Sequence, residues 1–226
     1  MAISASTIGN VPTTITYSFD GQTYTSEVPK ITNVADSDDE IFYKVEAPNH
    51  EPATGTYGIK INPYDIAADE DSYISHGLSG ETIKYDGQPH KPTVYLKFKE
   101  TDLAKDTDFA LICEEKTNAT DTANYIYQIQ GKGNFAGDIY DNWQIVSKIF
   151  SNDIEISQTK DLIYNFNNID IVSSNALKVS DKTIGKDLKL NEDYKVVSGS
   201  TAKNVSDNIE IIIEGIGNYQ SSVTGS

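Results

Sequence analysis

One pattern occurs three times along the 226-residue sequence, and this repetition is the strongest constraint on what the chain can fold into. Each copy has an apolar strand that carries aromatic residues, a small turn centred on asparagine, and a second strand that leaves the turn. The copies read IFYKVEAPNHEPATGTYGIKI from Ile41, YIYQIQGKGNFAGDIYDNWQI from Tyr125 and IEIIIEGIGNYQSSV from Ile209. Their central residues, Asn49, Asn134 and Asn218, are separated by two nearly equal intervals. Such regular spacing predicts tandem copies of one structural unit.

A second set of matching segments supports this spacing in the later two copies. LAKDTDF (103–109) matches LKLNEDY (188–194) at the interval that separates the first two turn asparagines, and each segment leads into an apolar strand. Upstream, IKYDGQ (83–88) matches LIYNFN (162–167) as a strand that ends in tyrosine and a polar turn. The first copy opens differently, with ITYSFDGQTYTS, where Asp20-Gly21 between alternating strands predicts a β-hairpin.

The copies divide the chain into three predicted domains, which are 1–62 with an N-terminal arm over 1–13, 63–147, and 148–226. Asn62-Pro63 marks the first boundary, and 63–80 is interpreted as a linker with a lead-in strand. Turn signals recur about every 8–12 residues, and no helical periodicity is sustained. The many Tyr, Phe, Ile, Val and Thr residues suit a pleated, half-buried surface. We therefore expect an all-β chain of three tandem, small antiparallel β-sandwiches.

Specific motifs of the first two copies match a known family. YDGQPHKPTV, LAKDTDF and IQGKGNFAG in the second copy resemble the immunoglobulin-like repeats of bacterial surface adhesins. TYSFDGQTYTS and YKVEAPNHEPATG in the first copy resemble related bacterial surface modules, with His50 in place of the usual aromatic residue. The third copy keeps IEGIGNY but lacks the glycine and proline of the opening turn. The resemblance implies immunoglobulin-like sandwiches and does not identify a ligand.

Charge excludes several classes of partner. The formal net charge is −16, and all 18 basic residues are lysines. Such a chain repels nucleic acid and anionic membrane surfaces, and it has no arginine for bidentate phosphate contacts. No stretch approaches the roughly 18 apolar residues of a membrane span. We therefore expect neither nucleic-acid binding nor membrane insertion.

Two kinds of segment could be mistaken for ligand sites. GKGNF (131–135) is glycine-rich, but a phosphate-binding loop opens a helix, and no helix is predicted here. It predicts a hairpin turn instead. The acidic clusters DSDDE (36–40) and DED (69–71) lack the alternating ligand spacing of a calcium loop, so we interpret them as solvated loop charge.

Individual reactive residues also favour structural interpretations. His50, His76 and His90 lie in different turns without partners at zinc-ligand spacing, and we expect them at the surface. Cys113 follows an apolar run, which favours a buried, inert thiol, and Trp143 is expected in a core.

No nucleophile elbow, triad signature or zinc signature is present in the sequence. A carboxylate pair assembled in three dimensions stays open, but small sandwiches leave little room for a cleft. We predict a protein that is not an enzyme, with no catalytic, cofactor-binding or metal-binding residues.

Two settings suit a non-enzymatic array of this kind. The favoured one is a bacteriophage virion, with the chain as an auxiliary or decoration protein on the capsid. The N-terminus of the chain, MAISASTIGNVPTT, has no signal-peptide pattern, which predicts synthesis in the host cytoplasm. The arm and the first domain would dock on the major capsid protein or another virion protein, and the other domains would contact cell-surface or mucus glycans weakly but multivalently. The alternative is a segment of a bacterial cell-surface adhesin, which needs an export signal and an anchor.

Overall fold

The structure is a computed structural model that describes residues 4–7, 11–37, 40–204 and 209–225. Residues 1–3 and 8–10 of the predicted arm therefore lie outside the described residues. Within the described part the chain contains strands, one short 3₁₀ helix at Val34–Asp36, and no α-helix. The prediction of an all-β chain is confirmed. Several small sheets, most of them antiparallel, make up the fold.

The first part of the chain forms one antiparallel sheet. Its strands are β1 (Thr14–Ser18), β2 (Glu40–Glu46) and β3 (Ala53–Gly58), in the order β1-β2-β3. In this register Tyr17 lies opposite Tyr43, and the fully buried Ile41 lies opposite Tyr57. The hairpin predicted at Asp20-Gly21 is reduced to a single bridge between Tyr17 and Thr25.

The remaining strands fall into a middle and a last part of the chain, and both parts have a similar arrangement of sheets. The middle part contains β4 (Tyr64–Asp65), β5 (Ile74–Ser79), β6 (Thr93–Phe98), β7 (Thr101–Asp102), β8 (Phe109–Ile112), β9 (Tyr125–Gly131), β10 (Phe135–Ala136) and β11 (Asp138–Trp143). The last part contains β12 (Lys148–Ile149), β13 (Ile154–Gln158), β14 (Ile169–Asp170), β15 (Leu177–Asp181), β16 (Lys186–Asp187), β17 (Tyr194–Ser198), β18 (Thr201–Ala202), β19 (Ile211–Gly215), β20 (Tyr219–Gln220) and β21 (Ser222–Gly225).

Two three-stranded sheets occur in each of these parts. Their orders are β5-β6-β7 and β8-β9-β11 in the middle part, and β13-β15-β16 and β17-β19-β21 in the last part. Along β9, Tyr127 and Ile129 are fully buried, and along β19 Ile211 and Ile213 alternate with more exposed residues in the same way. This period of two indicates strands with one face in a hydrophobic core.

The matching segments 103–109 and 188–194 form two separate loops with the same backbone conformation. Asp106 and Asn191 have positive φ angles of 70° and 65°. The backbone N–H of Asp106 donates to Phe109 at 2.6 Å, and that of Asn191 donates to Tyr194 at 2.7 Å. The sequence match between the two segments therefore corresponds to a shared backbone conformation.

The chain divides into two compact units. The first comprises Met1–Ser75, Leu96–Leu111 and Ile129–Ile139, and the second comprises His76–Tyr95, Ile112–Gln128 and Tyr140–Ser226. The middle part of the sequence contributes to both units, so the division does not follow the predicted boundaries after residues 62 and 147. The three-domain division remains a prediction, and the segments 1–62, 63–147 and 148–226 are called the first, second and third repeat below.

Candidate functional site

The best-defined polar site is a pair of asparagine clamps, one in each unit. In the first unit, the side-chain Oδ1 of Asn134 accepts a hydrogen bond of 2.8 Å from the backbone N–H of Val34. The same side chain donates through Nδ2 to Oδ1 of Asn33 at 3.1 Å. One amide thus joins the first repeat to the second through two hydrogen bonds, and we call this arrangement the first clamp.

The second unit contains the same arrangement one repeat later. Oδ1 of Asn218 accepts from the backbone N–H of Ala119 at 2.7 Å, and its Nδ2 donates to Oδ1 of Asn118 at 3.3 Å. This second clamp joins the second repeat to the third. Both clamps use the asparagine of a turn in one repeat and an Asn-Val or Asn-Ala step in the repeat before it.

Short parallel strand pairs accompany the clamps. In the first unit β4 pairs with β10, and the backbone N–H of Tyr64 donates to the carbonyl of Asn134 at 2.9 Å. In the second unit β12 pairs with β20, and the backbone N–H of Lys148 donates to the carbonyl of Asn218 at 2.9 Å. Each clamp asparagine therefore joins two repeats through its side chain and pairs two strands of its own repeat through its backbone carbonyl. We call the clamp and its parallel pair together the junction.

Glycine makes the turn of each junction possible. Gly133 and Gly217 precede the clamp asparagines and have φ angles of 62° and 63°, a region that L side chains rarely adopt. The predicted turn at 131–135 is confirmed, with the N–H of Phe135 donating to the carbonyl of Lys132 at 3.0 Å. In the first repeat the positive φ of 62° lies at Asn49 itself, after Pro48. The equivalent asparagine thus has a different backbone conformation there.

The side chains beside the two junctions differ in chemistry. In the first unit Tyr64 packs edge-on against Phe98, with ring centroids 4.9 Å apart, and its hydroxyl donates to Asp69. In the second unit Lys148 takes the equivalent position and forms ion pairs with Asp153 at 2.8 Å and with Asp181 at 2.6 Å.

These contacts shift the pKa values of the groups involved. The hydrogen bond to Asp69 raises the pKa of Tyr64 to about 12. The hydrogen bond from Lys148, with those from Ser151 and Thr183, holds the pKa of Asp153 well below its usual range. Burial acts to lower the pKa of Lys148, but its two carboxylate partners outweigh this effect and raise it.

The histidines, Cys113 and Trp143, for which the sequence favoured structural interpretations, are not members of the two clamps. His50 is exposed, whereas His76 and His90 are half-buried, and His90 contacts Asp86 at 2.8 Å. Cys113 is half-buried rather than buried, and it follows Ile112, the last residue of β8, which is itself exposed. Trp143 lies in a core as expected. Among the described residues, no three His, Cys, Asp or Glu side chains are grouped as metal ligands.

In the first acidic cluster, the Asp36 carboxylate accepts a hydrogen bond from Asn33 Nδ2 at 3.2 Å. Residues 38 and 39 of the first cluster lie outside the described residues. In the second cluster Asp69 is a structural acceptor and not a solvated charge. Besides the Tyr64 hydroxyl, it accepts backbone N–H groups of Tyr73 and Ile74 at 2.9 and 2.8 Å. Asp69 therefore holds the loop between β4 and β5.

Sequence reasoning found one half of each clamp and missed the other. The turn asparagines Asn134 and Asn218 stand out in the repeated pattern, but their partners Asn33 and Asn118 were not singled out. A signal exists, since TNV (32–34), TNA (117–119) and KNV (203–205) recur at nearly the spacing of the turn asparagines. Residue 205 lies outside the described residues.

Comparisons with protein-family models, with curated proteins and with solved structures find no match to this chain. None of the described residues forms an apolar helix of the length that a bilayer crossing requires.

Proposed function

We propose that the protein is a non-enzymatic structural and binding protein, in which tandem immunoglobulin-like sandwiches act as a spacer and display element. The observation that carries this proposal is the junction that occurs twice with the same hydrogen bonds. A binding site for a small substrate needs convergent polar groups in a cleft, whereas these asparagines are used to join one repeat to the next. Repeats joined in this way suit a protein whose task is to hold surfaces at a fixed spacing.

The setting that we favour is a bacteriophage capsid, with the chain as an auxiliary or decoration protein that stabilises the particle and adheres weakly to host-cell or mucus surfaces. The arm (1–13) and the first repeat would contact the major capsid protein or another virion protein. A net charge of −16 would keep densely displayed copies apart. A stalk segment of a bacterial surface adhesin is the second candidate, and the resemblance of the repeat motifs to adhesin repeats favours it.

Quantitative mass spectrometry of fractions from the source separates these settings. Co-purification with virus particles, in a fixed ratio to the major capsid protein, supports the decoration protein. Recovery in the cell envelope, with peptides that extend upstream of Met1, contradicts it and supports the adhesin.

A variant that lacks residues 1–13 is expected to bind particles less well while the repeats stay folded. Full occupancy by that variant would overturn the docking role of the arm.

A further inference from the structure

The tryptophan of the second repeat has a polar atom without a partner. The Trp143 side chain is 1% exposed, and its ring centroid lies 5.2 Å from that of Tyr125. Its indole Nε1 is buried and has no hydrogen-bond partner among the described residues. A buried indole N–H usually has an acceptor, because its removal from water without one is unfavourable. Trp143 therefore carries a donor that is available to a bound ligand.

Trp143 also lines a groove of about 320 Å³. The groove lies between residues 78–83, which include the end of β5, and residues 90–93, which lead into β6. The exposed Leu78 and the buried Pro92 supply apolar walls. This volume lies at the lower end of the range of about 300–1,000 Å³ that is typical of small-molecule pockets. The groove therefore suits a single ring-sized group.

The polar side chains around the groove are available for a ligand. They are Ser79, Glu81, Thr82, Thr93 and Gln144. None of these side chains forms a hydrogen bond or an ion pair with a described residue. By contrast, the turn carboxylates of Asp65 and Asp86 each accept a nearby backbone N–H at 2.9 Å. The rim thus offers hydroxyl, carboxylate and amide groups to a ligand that is rich in hydroxyl groups.

The charges at the groove favour a neutral ligand. Both basic side chains of its lining have acidic partners, since Lys91 lies 3.7 Å from Glu115 and His90 lies 2.8 Å from Asp86. Glu81 adds a negative charge at the rim without a cationic partner among the described residues. The net charge of −16 also repels anions. A phosphate, a sulfate or an acidic sugar is therefore a poor match.

The main chain beside the groove is paired, which argues against an added strand as the ligand. The carbonyl of Ile83 accepts the N–H of Val146 at 2.9 Å. His90 and Lys116 exchange two backbone hydrogen bonds, at 2.8 and 3.0 Å. An added strand needs an unpaired backbone edge. Recognition in this groove must therefore come from side chains.

We propose that this groove binds an N-acetylated amino sugar of a surface glycan. The acetamido carbonyl accepts from Nε1 of Trp143, the acetamido methyl packs against Leu78 and Pro92, and the sugar hydroxyls bind the polar rim. An acetamido group places a good acceptor next to a methyl group, so it matches a donor beside apolar side chains. This assignment rests on the proposed adhesion to host-cell or mucus surfaces, and it adds the site and the class of sugar.

The probe is N,N′-diacetylchitobiose, added to the full chain and followed through the fluorescence of Trp143, the one tryptophan of the sequence. We expect a saturable change, and in saturation-transfer NMR the acetamido methyl groups should receive the strongest signal. Cellobiose has the same linkage with hydroxyl groups in place of the acetamido groups, and it should bind at least about tenfold more weakly. Equal responses to the two sugars, or no saturable response to either, would overturn the proposal.

Two matched variants test the location of binding. Leu78→Asp removes an apolar wall and adds a charge, and it should weaken diacetylchitobiose binding at least about tenfold. Ile126→Asp makes the same change on β9, at a side chain that is 63% exposed and does not line the groove. It should bind within about twofold of the unaltered chain. Equal loss in both variants, or no loss in Leu78→Asp, would contradict the assigned groove.

Trp143→Phe tests the indole donor, because it removes the N–H and keeps an aromatic ring. With NMR as the readout, we expect the preference for diacetylchitobiose over cellobiose to fall at least about threefold. A structural role of Trp143 alone would leave this ratio unchanged, and an unchanged ratio would contradict the assigned hydrogen bond. The pair of Leu78 and Ile126 variants stays decisive even if Trp143→Phe does not fold.

Binding to whole glycans separates this site from the proposed function. The unaltered chain and Leu78→Asp are applied to immobilised mucin and to bacterial peptidoglycan, which both contain N-acetylated amino sugars, and retention identifies the surface that is recognised. Retention that is lost in Leu78→Asp supports the groove. Equal retention of both chains contradicts the groove and leaves the adhesive function in place. Diacetylchitobiose binding without retention on either surface supports the groove and contradicts the adhesive function.

Discussion

Lys148 donates to both carboxylate oxygens of Asp181, at 2.6 and 2.7 Å, and the Asp181 side chain is fully buried. One repeat earlier the equivalent positions hold Tyr64 and Phe98, whose rings pack edge-on. A buried ion pair and an aromatic pair thus occupy the same place beside the two junctions. The repeats therefore have a shared backbone plan that tolerates different side-chain chemistry at this position.

This equivalence predicts the behaviour of a double variant. Lys148→Met leaves the buried Asp181 carboxylate without its main partner, and we expect a loss of about 3–5 kcal/mol in the free energy of unfolding. Lys148→Tyr combined with Asp181→Phe introduces the pair of the second repeat and is expected to recover most of that loss. Urea unfolding of Lys148→Tyr, of Asp181→Phe and of the double variant measures the coupling between the two positions. A double variant that is as unstable as the sum of its single changes would contradict the equivalence.

Acid is expected to weaken the third repeat through Asp153. Its carboxylate is held ionised by Lys148, so its pKa is lower in the folded chain than the value of about 3.9 in unfolded chains. A lowered folded-state pKa contributes stability above the unfolded pKa, and this contribution is lost as the pH falls below it. We expect the Tm to fall as the pH is lowered from about 5 to about 2, because aspartates become protonated over this range.

The matched variants for this pH effect are Asp153→Asn and Asp121→Asn. Asp153→Asn should lower the Tm at pH 7 and make it less dependent on pH below about pH 4. Asp121 is exposed, so its replacement should leave the pH profile unchanged. Parallel profiles for Asp153→Asn and the unaltered chain would show that this carboxylate does not carry the effect.

Much of the fold could be predicted from sequence, because the repeats preserve local signals. Strands and turns recur where asparagine, glycine and alternating apolar residues recur. The hairpin predicted at Asp20-Gly21 is shorter than expected for a local reason, and only Tyr17 and Thr25 pair across it. The Asp20 carboxylate accepts the N–H groups of Gln22 and Thr23, both at 2.8 Å, which makes a longer loop. Pro29 then removes a donor from the segment that follows, and one bridge at Thr25 remains.

The junctions could not be predicted from the same local signals. The Asn134 side chain bonds to residues about 100 positions earlier, and the parallel pair of β4 with β10 also joins segments that are far apart in the sequence. The alternation of apolar and polar residues within a strand indicates which face is buried. It does not specify a hydrogen-bonding partner that lies so far away in the sequence. Only the recurrence of the Asn33 and Asn118 motifs at the repeat spacing carries that information.

Removal of a clamp amide is expected to loosen its junction locally. Asn134→Ala removes two hydrogen bonds and leaves the Val34 N–H without its acceptor, at a cost of about 1–3 kcal/mol. Hydrogen exchange at Val34 should become faster, and Asn218→Ala should have the same effect at Ala119. Asn142→Ala, at an exposed asparagine, is the control. Unchanged exchange at Val34 in Asn134→Ala would show that the clamp does not protect that amide.

The close approach of backbone at the turns gives a steric test of the junctions. A Cβ on Gly131 would lie 2.7 Å from the backbone N of Ala136, and one on Gly215 would lie 2.8 Å from that of Gln220. Because these neighbours are backbone atoms of β10 and β20, relief of the clash must displace the strands that pair with β4 and β12. We expect Gly131→Ala and Gly215→Ala each to cost about 1–3 kcal/mol in urea unfolding. Gly58→Ala adds a Cβ with no atom within 4 Å and should stay within about 0.5 kcal/mol of the unaltered chain. Equal stability of all three variants would mean that the turns yield without disturbing the parallel pairs, and that the junctions do not depend on these glycines.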